Sequence, residues 1–290
     1  MSDSIRDAFS RIELTGKDFK RLASFIHDRL GIKVPDFKRS MLESRLRKRL
    51  NVLGMKNYTQ YCDFLFSGQG MDQELSEFTD VITTNKTDFF REPHHFKFIQ
   101  EKALPDLIER TNAGVSRKLM AWSCACSRGD EPYTLAMVLS DYGAAIKRFD
   151  FSILATDIST RMLETAVRGI YEEQVVEPVP PEFKKRYLLR SKDRTRQVVR
   201  IKPELRMKIK FHRLNLMDSD FGLSHKMDIL FCRNVIIYFD KPTTEKLIAK
   251  LCANLAPGGY LFMGHSELLD INRYPLVPVA PTIYQKIGGR

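Results

Sequence analysis

Two acidic residues, Glu131 and Asp157, lie at positions where a nucleoside would bind to a predicted sheet. Residues 120–134, MAWSCACSRGDEPYT, read as a strand, a turn of small residues and the start of a helix. Small residues let the backbone approach a ligand closely, and Glu131 follows that turn within reach of a ligand ammonium group. The next predicted strand ends at Asp157, where an acidic residue is placed to bond ribose hydroxyls. Asp157 could instead be a helix N-cap. Taken together, the two positions favour a nucleoside site.

The first turn lacks two common phosphate-binding patterns. It contains neither GxGxxG, the dinucleotide fingerprint, nor GxxxxGK[ST], the phosphate-cradling loop. The ligand is therefore expected to contain a nucleoside but to be neither an ordinary dinucleotide nor a nucleoside triphosphate.

A third polar group follows a later strand. The run FCRNVIIYFD at residues 231–240 is a buried strand that ends at Arg233 and Asn234 and is followed by Tyr238. The pattern [DNS]PP[YF] is absent from this position, which weighs against chemistry on amide or base nitrogens. Tyr238 could alternatively be an aromatic packed on the sheet edge.

The run TTNKTDFFREPHHF at residues 83–96 joins two different halves of the chain. It holds Arg91 between two aromatic residues and a proline, among small hydrogen-bonding side chains. A hinge with buried aromatics is the alternative interpretation.

The elements that position these residues fall into two regions. Residues 1–85 are predicted to form a helical domain, because Leu42, Leu46, Leu50 and Leu53 recur at helical spacing. Gly54 is the expected C-cap. Three cations of that helix share one face beside the apolar stripe: Arg45, Lys48 and Arg49.

Residues 86–290 are predicted to form an α/β domain with a doubly wound, mostly parallel sheet. Residues 187–201 break the strand–helix alternation and are predicted to be an inserted antiparallel β-hairpin. The predicted strands are 118–124, 151–157, 209–215, 227–234 and 260–265, and the predicted helices are 131–142, 159–167 and 242–255.

Composition excludes several classes of protein. The 290 residues are 43% hydrophobic and 29% charged, as in globular domains. No apolar run reaches the roughly 18 residues of a membrane helix, and the N-terminus has no secretory signal, so a reducing cytoplasm is expected. The five cysteines do not form a disulfide pattern. No metal site is expected, because Cys124 and Cys126 lack CxxC spacing and the adjacent His94 and His95 cannot share a helix face.

The positive charge is concentrated in two segments. Residues 184–213 contain 13 Lys and Arg against two acidic residues, and residues 33–56 contain eight against two, in a chain of net charge +11. Such segments attract nucleic acid, anionic lipid or an acidic protein surface. A merely solvated surface also fits each segment alone.

In order along the chain, these motifs resemble the chemotaxis receptor methyltransferases of the CheR family. The resemblance extends from about Gly31 to Lys286. It includes TTNKTDFFREPHHF, SRGDEPYT at 127–134, ATDIS at 155–159, AVRGIY at 166–171, FCRNVIIYFD and GHSE at 264–267. It implies a Rossmann-like methyltransferase that uses S-adenosylmethionine to esterify receptor glutamates.

The resemblance also implies residue roles. Glu131 would bind the methionine ammonium group and Asp157 the ribose, while Arg91 and Tyr238 would lie near the transferred methyl group. The basic helix with Arg45, Lys48 and Arg49 would face the receptor's methylation helices. The remaining cofactor contacts would come from Asn85, Thr87, Arg91, Asn215, Leu216, Cys232 and Arg233.

Partners follow from the same resemblance. The partners would be the cytoplasmic methylation helices of methyl-accepting receptors. The enzyme would act as a monomer, would bind no nucleic acid and would not insert into the membrane. The inserted hairpin, residues 187–201, would form the family's β-subdomain. In some members that subdomain binds a receptor C-terminal pentapeptide, often with a glycine-rich hairpin, whereas the tip here, residues 191–197, has no glycine. An RNA methyltransferase and a non-catalytic cofactor-binding module are the two rival interpretations.

Overall fold

A computed structural model describes residues 13–193 and 195–288. They divide into two compact units. The first comprises the chain up to Thr84 together with Tyr238–Asp240, and the second comprises Asn85–Ile237 and the chain from Lys241 onwards.

The first unit is helical. The leucine stripe predicted for its second helix is largely buried, because Leu42, Leu46 and Leu50 are at most 1% exposed. That helix ends at Gly54, which is left-handed with φ 64°, as expected for a C-cap. The helices are α1 Gly16–Leu30, α2 Arg39–Leu53, α3 Tyr58–Leu65 and α4 Gly68–Ile82, with a 3-10 turn at Asp36–Lys38.

The short segment Tyr238–Asp240 is built into this helical unit. The N–H of Lys33 donates to the carbonyl of Tyr238 at 2.8 Å, and Ile32 pairs with Phe239 in an antiparallel bridge. His27 Nε2 lies 3.0 Å from Asp240 Oδ2. These contacts fix the backbone of Tyr238 within the first unit.

The second unit is built on a seven-stranded sheet whose order is β6-β2-β1-β7-β8-β10-β9. The first five pair in parallel, whereas β10 is antiparallel to β8 and β9. This confirms the predicted doubly wound sheet. The strands are β1 Leu119–Cys124, β2 Phe151–Asp157, β3 Ile170–Glu172, β4 Leu188–Arg190, β5 Val198–Ile201, β6 Ile209–Arg213, β7 Met227–Cys232, β8 Leu255–Met263, β9 Leu276–Ala280 and β10 Ile283–Lys286.

Helices connect these strands. The helices predicted at 131–142, 159–167 and 242–255 are present with bounds shifted by one residue at each end. The helices are α5 Pro93–Phe98, continued by a π-helical turn at Ile99–Ala103, α6 Leu104–Thr111, α7 Asp130–Gly143, α8 Thr160–Arg168, α9 Pro181–Tyr187, α10 Pro203–Arg206 and α11 Lys241–Asn254; 3-10 turns are Glu173–Val176, Ile236–Tyr238 and Ile271–Arg273.

The strand order fixes where a ligand can bind. From β1 the chain runs outward to β2 and β6, and then returns to the other side of β1 to form β7 and β8. Ligands of doubly wound sheets bind at the carboxyl ends of the strands where this reversal occurs. The carboxyl ends of β1, β2 and β7 carry the residues singled out from the sequence.

A second, three-stranded sheet has the order β3-β5-β4 and is antiparallel throughout. The predicted hairpin supplies β4 and β5. Its third strand, β3, lies upstream of the predicted insertion and was not anticipated. Among the helices of the described residues, none is both long and apolar enough to cross a bilayer.

Candidate functional site

The turn after β1 is shaped by left-handed backbone. Ala125, Ser127 and Gly129 have φ values of 53°, 51° and 98°. This folds the chain so that the N–H of Ser127 donates to Asp157 Oδ2 at 2.7 Å. The Ser127 hydroxyl donates to the carbonyl of Asn85 at 2.9 Å. One serine therefore joins the turn, the tip of β2 and the start of the 83–96 run.

Asp157 is held from several directions at the end of β2. Its Oδ1 accepts the N–H of Ser159 at 2.8 Å, and its carbonyl accepts the N–H of Leu214 at 3.0 Å. The N-cap of α8 is Ser159, whose hydroxyl accepts from Met162. The alternative that Asp157 caps this helix is therefore wrong. Asp157 is 6% exposed, so its carboxylate has a fixed direction at the strand tip.

Asn215 and Leu216 follow directly after β6. Asn215 Oδ1 accepts the N–H of Met217 at 3.0 Å. The carbonyl of Leu216 accepts from Lys250 Nζ at 2.7 Å. These bonds fix the turn whose first residue, Leu214, is bonded to the backbone of Asp157.

Glu131 and Arg233 form a buried ion pair. Arg233 Nε donates to Glu131 Oε2 at 2.7 Å, and the Ser123 hydroxyl donates to Glu131 Oε1 at 2.7 Å. Arg233 Nη1 also donates to the carbonyl of Arg91 at 2.8 Å and to His95 Nδ1 at 3.0 Å. A buried charge pair is tolerated when further hydrogen bonds satisfy both partners. Each Glu131 oxygen, with one donor named here, retains acceptor capacity for a ligand.

His95 is a neutral support for Arg233. Its Nδ1 must accept from the guanidinium, so Nε2 carries the proton and donates to Thr282 Oγ1 at 3.0 Å. Burial, with Arg233 nearby, lowers the pKa of His95 to about 3. The guanidinium carbon also lies 5.5 Å from the ring centroid of Phe96 and 5.3 Å from that of Phe231, a cation–π arrangement.

Arg91 lies in a turn of constrained backbone. Its neighbours Phe90 and Glu92 have φ values of 54° and 56°, a region that non-glycine residues seldom adopt. Phe89 is 1% exposed, as the hinge interpretation supposed, whereas Phe90 is half-buried. The half-buried Arg91 side chain extends from this turn, with Nη1 3.3 Å from the carbonyl of Lys86.

Thr87 and Cys232 complete the residues that the sequence assigned to this unit. The carbonyl of Thr87 accepts from Arg128 Nη2 at 3.1 Å, and Arg128 pairs with the buried Asp130 at 3.0 Å. Cys232 is fully buried at the end of β7. Cys124, at the end of β1, is also buried, and burial raises the pKa of its thiol.

The three cations predicted to share one face of α2 differ in their surroundings. Arg45 donates to the carbonyls of Ile82 and Thr83 at the end of α4, the second at 3.3 Å. Arg49 pairs with the buried Glu74 at 2.7 Å. Lys48, by contrast, is exposed.

Tyr238 belongs to the first unit, as do the α2 cations, and the network described above does not include these residues. Within the second unit, two hydrogen-bonded chains join Asn85 to Asp157 and Arg91 to Glu131. The sequence interpretation missed the connecting residues. Ser123 and Ser127 were counted only as small residues, and His95 was considered only as a metal ligand.

Both parts of the chain match known family models. Residues 17–83 match the model described as "CheR methyltransferase, all-alpha domain". Residues 85–281 match the model described as "CheR methyltransferase, SAM binding domain".

Curated relatives match over nearly the full length of the chain. The chemotaxis protein methyltransferase of Borreliella burgdorferi is 40% identical over 276 residues, which cover 95% of this chain and 96% of the relative. The chemotaxis protein methyltransferase of Klebsiella aerogenes is 37% identical over 257 residues, 89% of this chain and 85% of the relative.

Proposed function

Because the chain belongs to the CheR methyltransferase family, we propose that it methylates glutamate side-chain carboxylates of chemoreceptors. The products are glutamate methyl esters and S-adenosylhomocysteine, and the role is sensory adaptation in chemotaxis. The observation that carries the proposal is the match of both domain models in order, over residues 17–83 and 85–281. The enzyme is a methyltransferase that uses S-adenosylmethionine.

The donor set of the second unit fits this cofactor. Glu131 offers a carboxylate for the methionine ammonium group and Asp157 offers one for the ribose hydroxyls. Both lie at the carboxyl edge of the sheet, beside a turn of small residues. We assign the rest of the pocket to Asn85, Thr87, Asn215, Leu216, Cys232 and Arg233.

The reaction needs no general base from the protein. A glutamate side chain has a pKa near 4.3 and is ionised at neutral pH. When bound, S-adenosylmethionine supplies an electrophilic sulfonium methyl group. The carboxylate oxygen bonds to the methyl carbon as the carbon–sulfur bond breaks, the bonding pair stays on sulfur, and no proton moves. The enzyme's task is in-line alignment of the nucleophile, the methyl carbon and the sulfur, which is a proximity effect.

We assign alignment of the glutamate to Arg91 and Tyr238. The Arg91 guanidinium orients the carboxylate, and Tyr238 donates to its second oxygen. Arg91 must not neutralise the nucleophile strongly. The backbone carbonyl of Arg91 is fixed by Arg233, while the Arg91 side chain extends from the turn. This arrangement allows a weak, directional contact between the guanidinium and the substrate carboxylate.

We assign receptor recognition to the helical domain, residues 1–85, through Arg45, Lys48 and Arg49. The catalytic domain, residues 86–290, carries the three-stranded sheet as its β-subdomain. The enzyme is proposed to work as a cytoplasmic monomer on the methylation helices. The hairpin tip, which lacks glycine, gives no support for pentapeptide binding.

One experiment tests the proposal. The enzyme is incubated with tritiated S-adenosylmethionine and receptor-containing membranes, and the labelled receptor is treated with mild base. A glutamate methyl ester releases volatile tritiated methanol. Base-stable label on the receptor, or no label with a folded enzyme, would refute receptor esterification.

The two rivals predict different results. An RNA methyltransferase would bind RNA in a salt-dependent manner and would transfer label to RNA. A non-catalytic module would bind S-adenosylhomocysteine but transfer no label to any receptor.

A further inference from the structure

The segment 85–87 lies within the 83–96 run, and residues 84–88 form neither helix nor strand. Each carbonyl of this segment nevertheless accepts a hydrogen bond from a side chain. The pairs are Ser127 Oγ with Asn85 at 2.9 Å, Arg91 Nη1 with Lys86 at 3.3 Å and Arg128 Nη2 with Thr87 at 3.1 Å. Three side chains therefore fix the course of a segment that lacks regular structure of its own.

Arg128 has no role in the proposed function, yet its side chain is held in the orientation that this contact needs. Its Nε lies 3.0 Å from Oδ1 of Asp130, and its Nη2 lies 3.0 Å from Oδ2. Asp130 is fully buried in the first turn of α7. Burial raises the pKa of this carboxyl, and Arg128 opposes the rise. A two-point pair of this kind orients a planar guanidinium, and in this orientation Nη2 reaches the carbonyl of Thr87.

The backbone of Arg128 is also fixed. The Tyr171 hydroxyl donates to the Arg128 carbonyl at 2.6 Å. Gly129, with φ 98°, permits this approach, because a Cβ at that position would lie 3.0 Å from Tyr171 Oη. The Tyr171 ring packs edge-on against Phe89, with centroids 5.1 Å apart. Arg128 is therefore held at both its backbone and its side chain.

The start of α7 holds the chain farther along the same run. The N–H of Phe90 donates to Thr134 Oγ1 at 3.2 Å, and that hydroxyl donates to the carbonyl of Asp130 at 2.7 Å. Residues 127–134 thus attach the run at Asn85, at Thr87 and at Phe90. Arg128 supplies the middle attachment.

We infer that Arg128, oriented by Asp130, is a positioning residue for cofactor binding, which holds the segment 85–87 in the conformation that lines the pocket. The inference rests on the proposed function, which assigns Asn85 and Thr87 to that pocket. Arg128 itself acts through the Thr87 carbonyl. Without this contact the segment would sample other conformations, and a dissociation constant rises as the binding-competent fraction falls.

The variant Arg128→Lys tests this inference. Lysine keeps the charge that pairs with Asp130, but its single ammonium group lacks the fork that spans Asp130 and Thr87. We expect the dissociation constant for S-adenosylhomocysteine, measured by calorimetry, to rise roughly five- to tenfold, because the ordered fraction of the segment falls. If Arg128 served only to neutralise Asp130, lysine would preserve the wild-type affinity.

A matched control lies at the opposite end of the sheet. Arg117 also pairs with a buried aspartate, since its Nη1 lies 2.8 Å from Asp228 Oδ2 and its Nη2 lies 2.6 Å from Oδ1. Arg117→Lys makes the same exchange of a fork for an ammonium group. It should leave the dissociation constant for S-adenosylhomocysteine within about twofold of the wild-type value.

Hydrogen exchange follows the segment without an assay of binding or activity. A peptide covering residues 85–91 should exchange faster in Arg128→Lys than in the wild type, and at the wild-type rate in Arg117→Lys. If Arg128→Lys does not fold, Asp130→Asn keeps the guanidinium but removes the carboxylate that orients it. The same weaker binding and the same faster exchange are then expected.

Three outcomes would overturn the inference: wild-type affinity in folded Arg128→Lys, wild-type exchange over residues 85–91 in that variant, or equal weakening in Arg117→Lys. Receptor methylation is scored separately, on the wild type. A wild type that binds S-adenosylhomocysteine but esterifies no receptor refutes the proposed function, whereas weaker binding by Arg128→Lys still supports the role of Arg128. An active wild type whose affinity Arg128→Lys matches refutes only that role.

Discussion

Arg233 Nε lies 2.7 Å from Glu131 Oε2, and this buried pair joins the ends of β7 and of the turn after β1. The same guanidinium donates to the backbone carbonyl of Arg91 at 2.8 Å. One side chain therefore links the carboxylate assigned to the cofactor with the turn that carries the arginine assigned to the substrate. Sequence resemblance assigned Arg233 to the pocket wall, whereas its contacts indicate that it also orients two other site residues.

Arg233→Lys should weaken cofactor binding and lower turnover together. Lysine keeps the charge but lacks the planar fork that reaches Glu131, Arg91 and His95. We expect a loss in kcat/KM of roughly 10- to 100-fold, corresponding to about 1.4–2.7 kcal/mol. Steady-state kinetics measures it. Arg117→Lys is the control, because Arg117 binds Asp228 at the other end of β7; equal losses in both variants would contradict a specific role.

Asp157→Asn should weaken binding of S-adenosylhomocysteine without unfolding the turn. The N–H of Ser127 donates to Oδ2 and the N–H of Ser159 to Oδ1, so asparagine keeps the acceptor for one of these two bonds, whereas alanine would remove both acceptors. Losing a charge-assisted hydrogen bond to ribose costs about 1.5–3 kcal/mol. Calorimetry measures the affinity, with the exposed Asp193→Asn as control. Unchanged affinity in a folded variant would remove Asp157 from the cofactor site.

Arg91→Ala should lower kcat on the order of 100-fold at saturating cofactor, because the carboxylate nucleophile loses its alignment. The melting temperature should change little, since the side chain is half-buried and its contact with the carbonyl of Lys86 is long, at 3.3 Å. Arg91→Lys should recover only part of the rate, as charge returns without the fork. Turnover near that of the wild type in Arg91→Ala would leave Arg91 as a hinge residue.

Lys48→Glu should raise KM for the receptor roughly several-fold at low salt, because a like charge then faces acidic methylation helices. Cofactor affinity and stability should stay constant, since Lys48 is exposed. Arg49→Glu is a different perturbation, because it breaks a pair with the buried Glu74 and should cost about 3–5 kcal/mol of stability. No change in KM for Lys48→Glu would argue against docking through α2.

Stability should decrease in acid partly because of His95. Its pKa is lowered to about 3 in the folded protein, against 6.5 ordinarily. As pH falls below about 6.5, the unfolded chain takes up a proton that the folded protein excludes. The contribution of neutral His95 to the free energy of unfolding is therefore complete above pH 6.5. It decreases towards pH 3 by at most about 1.4 kcal/mol per pH unit.

The measurement compares variants across pH. Denaturant unfolding from pH 7.5 to 4.5 should show a shallower acid slope for His95→Gln than for the wild type. His212→Gln, at an exposed position of β6, should retain the wild-type slope. Arg233 at 3.0 Å and Glu92 at 3.4 Å both face His95 Nδ1. An acid slope in His95→Gln equal to that of the wild type would contradict the prediction, and would mean that the Glu92 carboxylate compensates for protonation of His95.

Much of the fold was accessible from the sequence because its determinants are local. The leucine spacing of α2, the C-cap at Gly54 and the strand–helix alternation after residue 115 reflect hydrophobic periodicity over short windows. Strand β3 and the antiparallel pair β9 and β10 were missed, since strands of three to five residues carry little periodic signal of their own.

The sequence alone determined the family, the cofactor class and two acidic residues, Glu131 after the turn that follows β1 and Asp157 at the tip of β2, because these are properties of residue type and order. Tertiary structure decided the hydrogen-bond partners of the site residues. The bonds from Glu131 to Arg233, from His95 to Thr282 and from Glu267 to residues 234–236 join segments that lie 31 to 187 positions apart. Such contacts depend on how strand ends converge and on which charges burial forces to pair. The same principle separates Arg49, paired with buried Glu74, from Lys48, which remains exposed to solvent.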